Sequence, residues 1–389
     1  MNNFIFENKT KVYFGRGGVK EYLGCLLKKY GPTVMLAYGG GSIKRNGIYD
    51  EIMAILSAAG KTVVEFSGIM SNPTYQKVQE GAALAREKSV DMILGVGGGS
   101  VMDCCKAISM AAVYSGDIWD DFWARPGIVD FAPLPLGVVV TATGTGSECN
   151  GGAVITNEKQ KVKTGRDYSV CNPRFALMDP TYTLSVPQRQ RMSGGFDILS
   201  HIMETYFSVP DEDNISDAIS EALMRGVIRD LQIILTNPQD LTASSNLMWA
   251  ATMAENRLIK LGKQCDFQCH QMEHQLGAYT NCNHGEGLAV LHPVYYRHIY
   301  QNGLRKFTQF AVNVWGIHPA GKTQEELALA GIDALTNFIR LLGLPATLRE
   351  LGMTDDSILK EIADSCNLAP GSYKKMTQGE ILKILQESY

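Results

Sequence analysis

The stretch DMILGVGGGSVMDCCKAISMAAV, residues 91–113, decides how the N-terminal half is read. An apolar run enriched in β-branched and aliphatic residues meets Gly97-Gly98-Gly99-Ser100. A pattern with helical spacing follows. The order strand, glycine turn, helix start lets backbone N–H groups approach an anion closely, and the helix N-terminus adds about half a positive charge. GVGGGS is G-x-G-x-x-S, one residue short of a dinucleotide fingerprint, and Ser100 with Asp103 also spells an S-x-x-D capping pattern. Alone, the stretch reads either as a phosphate cradle or as a tight turn with a capped helix.

Outward from it the grammar repeats. TVMLAYGGGSIKRNG (33–47) places Gly39-Gly40-Gly41-Ser42 after another apolar run, and TATGTGSE (141–148) follows LPLGVV. TVMLAY, KTVVEF, DMILGV, LPLGVVVTAT, GAVIT and FALMD are expected to be strands, alternating with helical patterns up to about residue 184. That alternation indicates a mostly parallel sheet with crossover helices. Three small-residue loops after strands suit one extended ligand with a pyrophosphate, because open α/β sheets bind ligands outside the carboxyl ends of their strands.

After Pro187 the text becomes helical, as in DNISDAISEALMRGVIRDLQIIL, with apolar residues at helical spacing. The expected architecture is therefore an α/β dinucleotide-binding domain over 1–184 and an all-helical domain over 185–389. No histidine precedes residue 200, and six of the seven lie between His201 and His298. Any imidazole chemistry belongs to the helical half.

Within GGFDILSHIMETY, Asp197 and His201 are four apart, on one helical face where both can reach one ion. His270 and His274 repeat the spacing, and His284 follows after Gly277 and Asn281, which allow a turn. The bland reading of the first pair is a solvated Asp–His contact, and that of the others is core histidines bonded to backbone carbonyls. HQMEH also matches H-x-x-E-H, the inverted zinc-peptidase motif in which Glu273 would activate water. A peptidase, however, needs no nucleotide domain and leaves Asp197 and His201 without work.

Bulk properties narrow the field. With 36 basic and 40 acidic side chains in 389 residues, the chain carries no electrostatic footprint for nucleic acid or an anionic membrane. MNNFIFENKTKVYFG has no signal-peptide core and no apolar run is long enough to span a bilayer, so a cytoplasmic enzyme acting on a small molecule is expected. Nine cysteines, odd in number and scattered, fit reduced thiols.

The ordered series KTKVYFGRGG, YGGGSIKRNGIYD, SNPT, GGGSVMDCCK, TATGTGSE, FALMDPTYTLSVPQRQRMSGGFDILSHIMETY and HQMEHQLGAYTNCNHGEGLAVLHP resembles the iron-dependent (group III) alcohol dehydrogenases, especially the NADPH-using butanol dehydrogenases and aldehyde reductases. The resemblance covers nearly the whole chain. It implies an active site in the cleft between the two domains, a homodimer, and a divalent metal, Fe²⁺ or alternatively Zn²⁺, held by Asp197, His201, His270 and His284. His274 would be the imidazole near nicotinamide and substrate that relays a proton. Gly97 to Ser100, with Asp103 in the helix behind them, would cradle the pyrophosphate. Thr141, Thr145, Ser147 and Lys163 would line the cofactor groove, with the adenosine ribose against Gly39 to Ser42. Phe267, Met192 and Asn281 depart from the usual family residues, and Phe267 and Cys282 lie beside the implied ligands, which bears on pocket shape, metal preference and substrate range.

The expected reaction is hydride transfer between NADP(H) and small aldehydes or primary alcohols. NADP(H) follows because TVMLAY ends without a carboxylate, while Ser42, Lys44 and Arg45 are placed to contact a 2′-phosphate. A generic Rossmann reading instead makes Glu65 the partner of a 2′-hydroxyl and gives NAD(H). Alternatives are an NAD-dependent glycerol dehydrogenase, a dehydroquinate-synthase-like lyase and the zinc peptidase.

Overall fold

The computed structural model describes residues 1–389, which form two compact units: Glu7–Val186, and Pro187–Tyr389 together with Met1–Phe6. In the first unit six parallel strands make one sheet in the order β1-β8-β5-β4-β2-β3. These are β1 (Lys11–Phe14), β2 (Thr33–Tyr38), β3 (Thr62–Phe66), β4 (Met92–Gly97), β5 (Leu136–Val140) and β8 (Phe175–Met178). The four inner strands are almost continuously apolar because helices cover both faces, whereas the edge strands β1 and β3 are partly exposed. α1 (Gly18–Leu27) and α3 (Ile48–Ala58) bury Val19, Leu23, Ile52 and Leu56 against Val34, Leu36, Leu94 and Val96. The short α2 (Ser42–Arg45) leads into α3, while α4 (Tyr75–Glu87) and α5 (Gly99–Ala111) pack on each other, α5 also meeting β4 and β5.

Two strands stand apart. β6 (Gly152–Asn157) and β7 (Val162–Asp167) form an antiparallel hairpin outside the main sheet. GAVIT is therefore a strand as its composition suggests, but its partner is its immediate neighbour in sequence.

The sheet order matters for binding. β3 lies on one side of β2, and the chain then returns to place β4 on the other side, so the strand order reverses between β2 and β4. Ligands of open α/β sheets bind at such a reversal. Tyr38 pairs with Val96, and Gly97 with Val140, so Gly39 and Gly97 lie at one level with Val140, and Thr141 follows one residue beyond.

The second unit is built from α6 (Gln188–Tyr206), α7 (Ile215–Thr236), α8 (Leu241–Glu255), α9 (Gln268–Thr280), α10 (His284–Ile299), α11 (Leu304–Gln309), α12 (Gln324–Leu341), α13 (Leu359–Ser365) and α14 (Gln378–Glu387). α6 is the central helix, buried almost all round from Arg191 to Tyr206. No helix is long and apolar enough to cross a membrane. All nine cysteines are free thiols, and only Cys25 on α1 is exposed.

Candidate metal centre and dinucleotide loops

A central helix that is buried all round should be apolar, yet α6 buries Asp197, Ser200, His201 and Glu204. Buried polar groups require partners. Asp197, His201 and Glu204 fall at i, i+4 and i+7, on one face. That face meets α9, which carries His270, Glu273 and His274, and α10, which begins at His284.

The ring nitrogens converge on one carboxylate oxygen. From Asp197 Oδ1 it is 3.6 Å to His201 Nδ1, 3.8 Å to His270 Nε2 and 3.6 Å to His284 Nε2. These separations are too long for hydrogen bonds. Asp197 Oδ1, His201 Nδ1 and His270 Nε2 are indeed buried without a hydrogen-bond partner. Ligands held at about 2.0–2.2 Å in a tetrahedron lie about 3.3–3.6 Å apart, so the donor set and its spacing fit one divalent ion. His274 stands beside this group, its ring stacked on His284 at 5.7 Å and edge-on to His270 at 6.2 Å. Its nitrogen groups with Glu273 and His284, whereas Asp197, His201 and His270 form a separate cluster.

Electrostatics follow the same geometry. Burial pushes the Asp197 carboxyl up, but His201, His284 and His270 outweigh it and hold the group well below the usual carboxylate range. Burial lowers the pKa of His201. His270 differs: burial acts in the same sense, but Glu204 and Asp197 override it and raise its pKa to about 10. The two rings flank the same Asp197, and the contrast comes from Glu204, which is hydrogen-bonded directly to His270, whereas the second carboxylate near His201, Glu255, acts only through space.

Two glutamates complete the site. Glu204 Oε2 accepts a hydrogen bond from His270 Nδ1, and its two oxygens also accept from the backbone N–H groups of Cys269 (2.8 Å) and His270 (3.1 Å). Glu273, fully buried, accepts from His284 Nδ1. A peptidase would need that carboxylate facing water. Sequence spacing overlooked Glu204, although its position seven residues after Asp197 was available as a signal.

In the α/β unit the glycine loops are shaped by close approach. A Cβ on Gly99 would lie 2.3 Å from Thr145 Oγ1, so the start of α5 and the TATGTGSE loop touch. Thr141 N–H donates to Gly97 O at 3.0 Å. The S-x-x-D cap does not form: Gly98 precedes α5 with no side-chain cap, and Asp103 turns instead to Ser147 Oγ (2.6 Å) and Val154 N–H (2.9 Å). Lys106, fully buried, donates to Ser147 Oγ, Asn150 Oδ1 and Gly152 O, fastening the loop and the hairpin to α5. Gly97 to Ser100, Asp103, Thr141, Thr145 and Ser147 thus share one neighbourhood, and Lys163 lies buried on β7 of the attached hairpin. Gly39 approaches Val101 of α5, while the Cβ direction of Gly40 faces open space.

Residues 9–180 match the family model for iron-containing alcohol dehydrogenase, and residues 191–389 match the C-terminal model of the same family. The chain is 38% identical to NADH-dependent butanol dehydrogenase A of Clostridium acetobutylicum over the whole of both chains. It is 35% identical to NADPH-dependent aldehyde reductase YqhD of Escherichia coli, over 92% of this chain and 91% of that one. The crystal structure of NADH-dependent butanol dehydrogenase A from Thermotoga maritima superposes with a TM-score of 0.94 at 35% identity, covering 100% of this chain and 99% of that one.

Proposed function

Because the chain belongs to the iron-containing alcohol dehydrogenase family, whose members are alcohol and aldehyde oxidoreductases, we propose that it interconverts small aldehydes and primary alcohols using NADP(H) and one divalent metal. The observation that carries this reading is the convergence of three imidazole nitrogens on Asp197 Oδ1. Asp197, His201, His270 and His284 would hold the ion, preferably Fe²⁺. When bound, the ion supplies Lewis-acid polarisation of a carbonyl and the nicotinamide supplies or accepts hydride. The relatives' activities favour this reading over the polyol, ring-closing and peptidase alternatives.

The chain's own groups do the positioning. Gly97 to Ser100 present backbone N–H groups and the start of α5 to the pyrophosphate, and Thr141, Thr145, Ser147 and Lys163 line the groove. His274 would move the proton at the substrate oxygen.

Cofactor choice turns on Glu65. Its carboxylate accepts from Tyr38 OH and Tyr49 OH, both at 2.6 Å, and pairs with Lys44 at 3.3 Å. A carboxylate that already accepts three bonds has little left for a ribose 2′-hydroxyl, which supports NADP(H), and because Glu65 also holds Lys44, the 2′-phosphate contacts fall to Ser42, Arg45 and the backbone of Gly39 to Ser42. The names of the butanol dehydrogenase relatives favour NADH instead, and the test must separate the two.

The test is metal analysis of freshly purified protein with a turnover screen of C2 to C6 aldehydes against NADPH and NADH. Stoichiometric metal and a higher kcat/KM with NADPH are expected. A metal-free active enzyme would overturn the site, and a preference for NADH would overturn the cofactor assignment. In His270→Ala and His284→Ala, metal and turnover should both disappear while the sheet persists.

A further inference from the structure

We infer, resting on the metal-site reading above, that Glu204 and Glu273 are positioning residues that select the ligating tautomer of His270 and His284. A neutral imidazole carries one proton on either nitrogen, and only the form protonated at Nδ1 offers its Nε2 lone pair. In both rings Nδ1 meets a buried glutamate while Nε2 faces Asp197 Oδ1. A carboxylate accepts and cannot donate. Each glutamate therefore fixes the proton on the far side of the ring from the ion, and its negative charge raises the basicity of the ligating nitrogen.

The two glutamates sit differently. Glu204 belongs to the face of α6 that carries Asp197 and His201, and reaches the first turn of α9. There Phe267 precedes the helix in a left-handed conformation and supplies no side-chain cap. Glu204 replaces that cap by accepting from the N–H groups of Cys269 and His270, so one side chain sets both where α9 begins and which way the His270 ring turns. Glu273 lies on α9 itself and reaches His284 at the start of α10, so it orients a ring without capping a helix. Together they link α6, α9 and α10 around the four ligating atoms. Neither residue touches substrate or cofactor in this scheme.

The substitutions Glu204→Gln and Glu273→Gln test the idea. An amide keeps the shape but loses the charge, and it offers one accepting oxygen where Glu204 uses two. Co²⁺ affinity is measured on metal-stripped protein by competition with a chelator, with the visible Co²⁺ bands and NADPH binding recorded alongside. Both variants are expected to bind Co²⁺ about 10- to 100-fold more weakly, with altered bands and unchanged NADPH affinity. ¹⁵N spectra of the imidazoles should show a smaller share of the Nδ1-protonated form in the ring concerned. Co²⁺ affinities within twofold of wild type in both variants would overturn the inference. If Glu204→Gln fails to fold because the start of α9 is lost, Glu273→Gln decides alone. A wild-type protein that takes up no ion overturns the metal-site reading itself, a result distinct from variants that bind as wild type does.

Discussion

At His274 binding and chemistry should separate. Its ring stacks on His284, and in the ligand set proposed above it holds no ion, so His274→Ala is expected to retain metal and to reduce aldehydes about 100-fold more slowly. Metal analysis and single-turnover rates check this, and loss of metal equal to that of His270→Ala would make His274 a ligand. Gly40 offers a second test at this scale, since its missing Cβ points into open space and Asp fits without a clash. Gly40→Asp should raise the KM for NADPH far more than that for NADH, by setting like charge against a 2′-phosphate. An unchanged ratio would move the ribose elsewhere. Spacing along the chain brought Asp197 with His201 and His270 with His274 to notice, because helical geometry brings residues four apart together, whereas His284 in place of His274 as a ligand came from the family resemblance. Spacing left Glu204 unread, since the partner that explains a glutamate on α6 lies 66 residues away on α9. The S-x-x-D pattern at Ser100 and Asp103 forms no cap for a related reason: the donors that Asp103 takes come from Ser147 and Val154, which only the tertiary fold brings near.

Among the elements, α6 and α10 are joined so closely that a methyl group cannot enter. A Cβ on Gly285 would lie 2.2 Å from the Ser193 backbone carbonyl oxygen. Gly285→Ala should cost about 1–3 kcal/mol, read from the denaturant midpoint, and should weaken metal binding because His284 is the adjacent residue. Unchanged values for both would mean that the helices yield freely. The same pair of helices buries His292, whose Nε2 lies 2.6 Å from Ser200 Oγ, beside the rings of Phe196 and Tyr296. Burial lowers its pKa to about 3, below the value of about 6.5 in an unfolded chain. Between those values the unfolded state binds the extra proton, so this group's effect is to make stability fall as pH falls, by up to about 1.4 kcal/mol per pH unit. A His292→Gln variant should show a flatter dependence from pH 6.5 to 4 in urea titrations; a slope equal to wild type would refute the assignment. The inner strands β2, β4, β5 and β8 were legible as apolar runs because both their faces are covered. β1 and β7 do not stand out as apolar runs, since KVYF is half exposed at a sheet edge and VKTGRD in the hairpin has three charged residues and a single large apolar one. The turn before His284 falls at Asn281, with φ of 52°, whereas Gly277 remains inside α9.

For the molecule as a whole, the proposed ion concerns only the helical unit. Adding a divalent ion to stripped protein at about 100 times its Kd should stabilise that unit by about 2.7 kcal/mol, visible as a higher melting temperature in calorimetry. NADPH affinity, assigned in the proposal to the α/β loops, should be unchanged; equal melting of stripped and loaded protein would sink this expectation. The parallel sheet and the helical half were readable over long windows, because hydrophobic periodicity averages well along a chain. The reversal of strand order at β2 and β4 was not, since it depends on which strands become neighbours. The distribution of thiols has a further, practical outcome. Burial raises the pKa of Cys104, Cys105, Cys149, Cys171, Cys265, Cys269 and Cys366, and Cys282 is only half exposed, which leaves Cys25 on the surface of α1. A maleimide dye applied briefly to the native protein should attach once, and nine times after denaturation. The native chain thus carries a ready-made labelling handle on its α/β unit, so a fluorophore can follow that unit in solution without any engineered cysteine.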